Sequence, residues 1–267
     1  MQQSVHAGLV AVSGSRFYSR YMTSLHTPTL CIALLAFFTA GASHAQDVLI
    51  YRGDTFAQQP TQNGTPLYQY DRRVASTHTG LTAAHTTRDT KGNLVITETA
   101  QYSADYALQH FETVNTQGSF SGTVDISAGG RHLEYRLNDN GKLSTAQEDV
   151  RDPVVSGPTL FGFILKHWDP LHAGRTVPVR MLVLREKTTY GFDIRFEKEA
   201  GSQTMFTVTP SSFLIRLALA PLRVTFDTAK KTVVRYEGRV PPLDVTSGKP
   251  RDLDARVEYT MVTPAYR

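Results

Sequence analysis

The densest run of side chains able to do chemistry is Lys166-His167-Trp168-Asp169-Pro170-Leu171-His172. An imidazole beside a carboxylate has the makings of a general base and the group that orients it, and two nearby histidines are a common start to a metal site. The spacing weighs against both uses. Residues five apart on a helix stand ~140° away from one another, and Pro170 interrupts the helix between His167 and His172. The simpler reading is a helix C-terminus, where Lys166 and His167 complement the helix dipole and Trp168 anchors a core. A second polar group is formed by Arg235, Glu237 and Arg239, alternating along one strand, with Asp252, Asp254 and Glu258 close behind. It offers a site for an anionic ligand or, more simply, a solvated face of cross-strand ion pairs. His167, Asp169 and Glu237 are therefore the catalytic candidates, in the roles a hydrolase would give them, and no metal site is expected.

Motifs with a local signature are missing. Gly118-Ser119-Phe120-Ser121-Gly122 comes nearest to a nucleophile elbow but sets Phe120 where the nucleophile should stand. No His-Glu-x-x-His, phosphate loop or dinucleotide fingerprint occurs, and no cofactor is expected. A catalytic site assembled from distant residues escapes such a search.

Apolar side chains suggest a different use. Tyr190, Phe192, Phe196, Phe206, Phe213, Phe226 and Tyr236 fall on one side of their strands or segments, and Phe161 and Trp168 share a helix face. Tightly packed, they are core. Under too few helices they would line a cavity for a lipid or another apolar ligand. The expected ligand-binding set is Phe161, Trp168, Tyr190, Phe192, Phe196, Phe213, Phe226 and Tyr236.

The elements that must position these residues are strands. In Tyr190–Glu197 the even positions are aromatic or aliphatic and the odd ones small or charged. Leu222–Asp227, Val234–Arg239 and Arg256–Met261 repeat that alternation, the mark of strands with one buried face. Asp139-Asn140-Gly141 is the strongest hairpin signal, and Lys91-Gly92-Asn93 and Gly129-Gly130 separate further runs. Counting in this way gives about fourteen strands. One helix starts at Ser156, with Pro158 in its first turn, presents Phe161, Ile164, Leu165 and Trp168 on one face, and ends at Pro170 and Gly174. Ser211–Ala220 is a second helix candidate. Asp54–Gly64 and Pro241–Pro250 read as polar connections. The predicted fold is mainly β: a large curved antiparallel sheet, a half-barrel or open barrel, with one or two short helices covering its concave face.

Upstream of the strands, Leu30–Ala42 holds thirteen residues without a charge, followed by Ser43-His44-Ala45. No Asp or Glu occurs in the first 46 residues, and Arg16 and Arg20 precede the apolar run. This is the pattern of a secretory signal over residues 1–45, with apolar core 30–42, leaving 46–267 as a single β-rich domain. A membrane span would need ~20 apolar residues, so no permanent span is expected after cleavage. The only cysteine, Cys31, lies inside the leader, so the exported part has no disulfide. Arg16 and Arg20 account for two of the four net positive charges, which leaves no basic cluster and makes nucleic acid a poor partner. The expected location is the periplasm, with the extracellular space as the alternative.

Gly157-Pro158-Thr159-Leu160-Phe161, His167-Trp168-Asp169-Pro170-Leu171, Val177-Pro178-Val179-Arg180 and Arg235-Tyr236-Glu237-Gly238-Arg239-Val240-Pro241-Pro242 form a distinctive set. With Pro210-Ser211-Ser212-Phe213 and Asp252-Leu253-Asp254-Ala255-Arg256-Val257, it resembles an uncharacterised family of exported bacterial proteins. That resemblance covers about the second half of the exported chain and implies export but no activity. In plan alone, strands with helices over a curved sheet are similar to the lipoprotein-carrier half-barrels of the bacterial periplasm. The function expected is a non-enzymatic exported protein that binds an apolar, lipid-like ligand or an envelope partner. A periplasmic hydrolase and an envelope assembly factor are the alternatives.

Overall fold

In a computed structural model, residues 48–58, 64–127, 129–245, 248 and 250–262 are described. The expected leader, 1–45, lies outside them. The described residues fold as one fifteen-stranded sheet that is curved, mixed and not closed into a barrel. Strands β1 (Val48–Ala57), β2 (Tyr68–Thr77), β3 (Gly80–Asp89), β4 (Leu94–Tyr102), β5 (Leu108–Asn115), β6 (Phe120–Ile126), β7 (His132–Asp139) and β8 (Lys142–Asp149) form one antiparallel meander. After the two-residue strand β9 (Val154–Val155) come helices α1 (Gly157–Lys166) and α2 (Trp168–His172). Strands β10 (Val177–Val183), β11 (Thr188–Ala200), β12 (Gln203–Pro210), β13 (Leu222–Asp227), β14 (Val233–Asp244) and β15 (Arg251–Val262) form the second meander, with α3 (Phe213–Ala218) between β12 and β13. Pairing of β1 with β15 joins the two meanders in the middle of the sheet, and the parallel β9–β10 pair makes it mixed.

Local chemistry fixes the hairpins. Asn140 and Gly141 both take positive φ, 52° and 82°, between the paired residues Asp139 and Lys142. This is the two-residue turn that the Asp-Asn-Gly string predicts, and it matches the natural twist of the strands it joins.

The helices differ from expectation in detail. Residues Pro158–Ile164 of α1 are buried all round rather than along one stripe, because the helix is enclosed between the sheet's two halves. The predicted single helix is two. His167 leaves helical geometry (φ −100°, ψ 20°), and Pro170 sits in the first turn of α2 instead of ending α1. Proline is tolerated there because its missing N–H would have no partner in a first turn. Gly174, at φ 82°, closes α2 as expected. The segment Ser211–Ala220 does contain a helix, but Phe213, Leu214 and Leu217 on it are exposed.

Two segments expected as connections begin as strand. β1 runs on to Ala57, and β14 runs through Pro241 and Pro242 to Asp244. The prolines fit because the β14–β15 register shifts between Val240 and Leu243, a bulge that takes them out of the ladder.

At the far ends of the sheet no backbone ladder joins β8 to β9; side chains reach across instead. Glu148 on β8 accepts from Arg180 on β10 at 3.1 Å, from Thr189 on β11 at 2.8 Å and from Tyr135 on β7 at 2.9 Å. Leu182 and Leu184 pack in the same apolar cluster as Leu133, Tyr135 and Leu137. The sheet thus curls until its two ends meet through a polar latch and an apolar seam.

Candidate functional site

Curling of the sheet around α1 leaves a cavity of about 770 Å³. Its wall is mostly apolar: Phe111 and Phe120 from the first meander, Leu160 and Phe161 from α1, and Met181, Tyr190, Phe192, Leu222 and Val257 from the second. Leu214, Ile215 and Leu219, on or just after α3, border it as well, so the exposed apolar surface of α3 is continuous with the cavity lining. Val240, Pro241, Pro242 and Leu243, the bulged part of β14, form another part of the border.

One sector of this wall is polar, where Tyr70, His85, Glu98 and Thr113 line it, and the row they belong to continues behind the wall. Tyr51, Arg72, His85, Glu98 and Thr113 stand directly opposite one another on β1 to β5, each the register partner of the next. Register partners point to the same face of a sheet, so the five make one row across five strands. Tyr70, two residues before Arg72 on β2, lies diagonal to His85 and hydrogen-bonds its Nδ1 through the phenol oxygen. Glu98 Oε2 is 3.6 Å from the same nitrogen. Tyr259 stacks edge-on against Tyr70, with ring centroids 5.7 Å apart. That ring fits because its neighbour across the ladder is Gly53: a Cβ there would lie about 3.1 Å from two Tyr259 ring carbons.

Burial sets the charge states. Arg72 is 5% exposed and His85 3%. Burial, with the Arg72 guanidinium nearby, holds the His85 imidazole well below the ordinary histidine range, so the ring is neutral at pH 7. Burial raises Glu98 from an ordinary 4.5 to about 7 and lifts the Tyr70 phenol well above its usual value. Arg72 keeps its charge, since a guanidinium does not deprotonate in a protein. Its partners are the Pro158 carbonyl at 3.2 Å and the rings of Tyr51 and Phe161, each 5.5 Å from the guanidinium carbon. Among the described residues no carboxylate lies within salt-bridge distance of it. Arg72 Nε and His85 Nε2 are both buried without a hydrogen-bond partner.

The residues anticipated from sequence are scattered. Phe161, Tyr190, Phe192 and Tyr236 lie on the cavity wall. Trp168 and Phe226 pack edge to face at 5.6 Å with Phe206 beside them, a filled core below the cavity wall, and Phe196 packs at the margin of that core. Phe213 is 65% exposed on α3. His167 Nδ1 meets the Phe163 carbonyl at 2.9 Å, one helical turn back, and Asp169 is exposed on α2. Glu237 follows Tyr236 in β14 and so faces away from the cavity, opposite Arg223 and Arg256. Arg239 pairs with Asp252 and with Asp254 (2.8 Å), and Arg235 with Glu258 (3.3 Å).

The structure thus brings together Tyr70, Arg72, His85 and Glu98, none of which the sequence reading singled out. No group of three or more His, Cys, Asp or Glu among the described residues is placed to hold a metal ion, and no helix among them is long and apolar enough to cross a membrane. No family model, curated protein or solved structure matches the chain.

Proposed function

We propose that this chain is an exported protein whose curved sheet holds an amphipathic small molecule, with the apolar part against α1 and the second meander and the polar end at the Tyr70–His85–Glu98 row. The carrying observation is the cavity of about 770 Å³, walled mainly by apolar side chains with one convergent polar sector. Sites for small ligands have this size and this composition: an apolar surround supplies affinity and a few polar groups fix orientation. Export rests on the charge-free Leu30–Ala42 stretch and its small-residue exit.

Native mass spectrometry on protein purified from its own compartment tests the reading. It should show a co-purifying mass of lipid size. Met181→Trp, which pushes an indole into the cavity from β10, should remove that mass while leaving the melting temperature within a few degrees. A clean apo mass from the native source would overturn the reading.

Glu98 favours a second use of the same site. A carboxyl group at about 7 beside a neutral imidazole is poised for proton transfer on a bound molecule. Hydrolysis of a long-chain p-nitrophenyl ester above the buffer rate, lost in Glu98→Gln with the fold intact, would establish catalysis in place of carriage.

A further inference from the structure

Two hydrogen-bonding nitrogens in the polar row lack partners, and they belong to register partners. Arg72 and His85 face each other across β2 and β3, and Arg72 Nε and His85 Nε2 are the unsatisfied atoms. In the tautomer in which the Tyr70 hydroxyl donates to His85 Nδ1, the hydrogen of the neutral ring is on Nε2 and both free positions are donors. A buried donor without an acceptor is costly, more so when charged, and two side by side are the complement of an acceptor that the chain itself does not supply.

Charge narrows the class of ligand. Arg72 carries a full positive charge, and its direct partners are a carbonyl and two aromatic faces. The titratable groups around it are Tyr51, Tyr70, His85, Tyr102 and Tyr259, with Glu98 beyond His85, and of these only the carboxyl can be negative near neutral pH. Tyr70, Tyr236 and Tyr259 could otherwise suggest an aromatic cage for an ammonium group, but a guanidinium at the same place opposes a second cation.

Resting on the amphiphile reading above, we infer that the polar end of the ligand is a carboxylate, accepting from His85 Nε2 and held by the charge of Arg72 behind it. His85 is among the cavity-lining residues with its Nε2 covered by neighbouring side chains, and Arg72 lies one strand further in, behind the lining, beneath Pro158 and Phe161. The chain of the acid then runs along Phe161 and Phe192 toward α3. Glu98, beside the head, takes up or shares a proton when the acid binds, so two carboxyl groups occupy the site with one negative charge between them.

A head-group series tests this. N-phenyl-1-naphthylamine serves as a neutral fluorescent probe, displaced from the intact protein by hexadecanoate, hexadecanol or hexadecyltrimethylammonium. Hexadecanoate should displace it at a concentration about tenfold or more below that of hexadecanol, the size of one charge-assisted hydrogen bond. The ammonium should be weakest. Arg72→Met should bring acid and alcohol to within about threefold, chiefly by weakening the acid, and His85→Phe should do the same without touching the charge. The native series stands without either variant should one fail to fold. Equal displacement by all three chains would overturn the carboxylate assignment and leave the cavity reading standing. A probe that neither binds nor is displaced would overturn both.

Discussion

One buried and one partly buried arginine stand on this sheet, Arg72 on β2 beside His85 and Arg180 on the face of β10 opposite Val179 and Met181, and their surroundings could hardly differ more. Arg180, at the seam where the sheet's ends meet, bonds to the Glu148 carboxylate and to the hydroxyl and carbonyl of Thr189. Arg72, on β2, has one carbonyl, two rings and an unpartnered Nε. The first arrangement satisfies the charge within the fold. The second leaves it available. A charge whose partners all belong to the chain is a structural device, whereas a charge buried without them is poised to meet something that enters.

The comparison can be broken by mutation. The largest effect is expected at the latch. Arg180→Met leaves Glu148 partly buried without its counter-charge and should cost about 3 kcal/mol in chemical denaturation, with hydrogen exchange in β8 and β10 rising first. Next comes Glu98→Gln, whose effect depends on pH. Because burial raises Glu98 from 4.5 to about 7, the folded protein binds its proton more tightly than the unfolded chain does. No penalty exists below about pH 4.5, it grows as pH rises toward 7, and it is constant above that. Glu98→Gln should therefore match the parent near pH 4.5 and exceed it by about 3 kcal/mol at pH 8. His85, held neutral by burial, acts with the opposite sign, its contribution being lost as pH falls. Thr189→Val should cost about 1 kcal/mol, the loss of one hydroxyl from the latch. Arg72→Met should be the mildest of the four, within about 1 kcal/mol of the parent or slightly more stable in the ligand-free protein, because it removes a buried charge that lacks a carboxylate. A large loss in Arg72→Met would mean that this arginine holds the fold and would erase the contrast with Arg180.

Much of the fold was legible because its signals are local. Alternation in β11, β13, β14 and β15 and the Asp-Asn-Gly turn after β7 each declare themselves within ten residues. The break at His167 and the bulge at Pro241–Pro242 were not, since both depend on packing against distant strands. The polar row was hidden for a related reason. Its members are 72, 85 and 98 in the chain, and they meet only once β2, β3 and β4 are in register. A faint signal did exist. On the inward phase of those strands, Arg72 follows Tyr68 and Tyr70, His85 sits between Ala83 and Thr87, and Glu98 sits between Ile96 and Ala100. Three successive hairpin strands each place an ionisable group at the centre of the face that should be apolar. The richer string at His167–His172 drew attention instead, and its groups turn out to face a helix carbonyl, solvent and the Glu199 carboxylate at 3.2 Å.

The most direct test of the central claim is where a bound chain lies. With uniformly deuterated protein carrying protonated phenylalanine rings, nuclear Overhauser contacts from the methylenes of hexadecanoate locate it without reference to affinity. Contacts are expected to Phe161 and Phe192 on the cavity wall, strongest for the half of the chain nearest the carboxylate at Phe161. Contacts confined to Phe213 on the outside of α3, with none to Phe161 or Phe192, would contradict the claim.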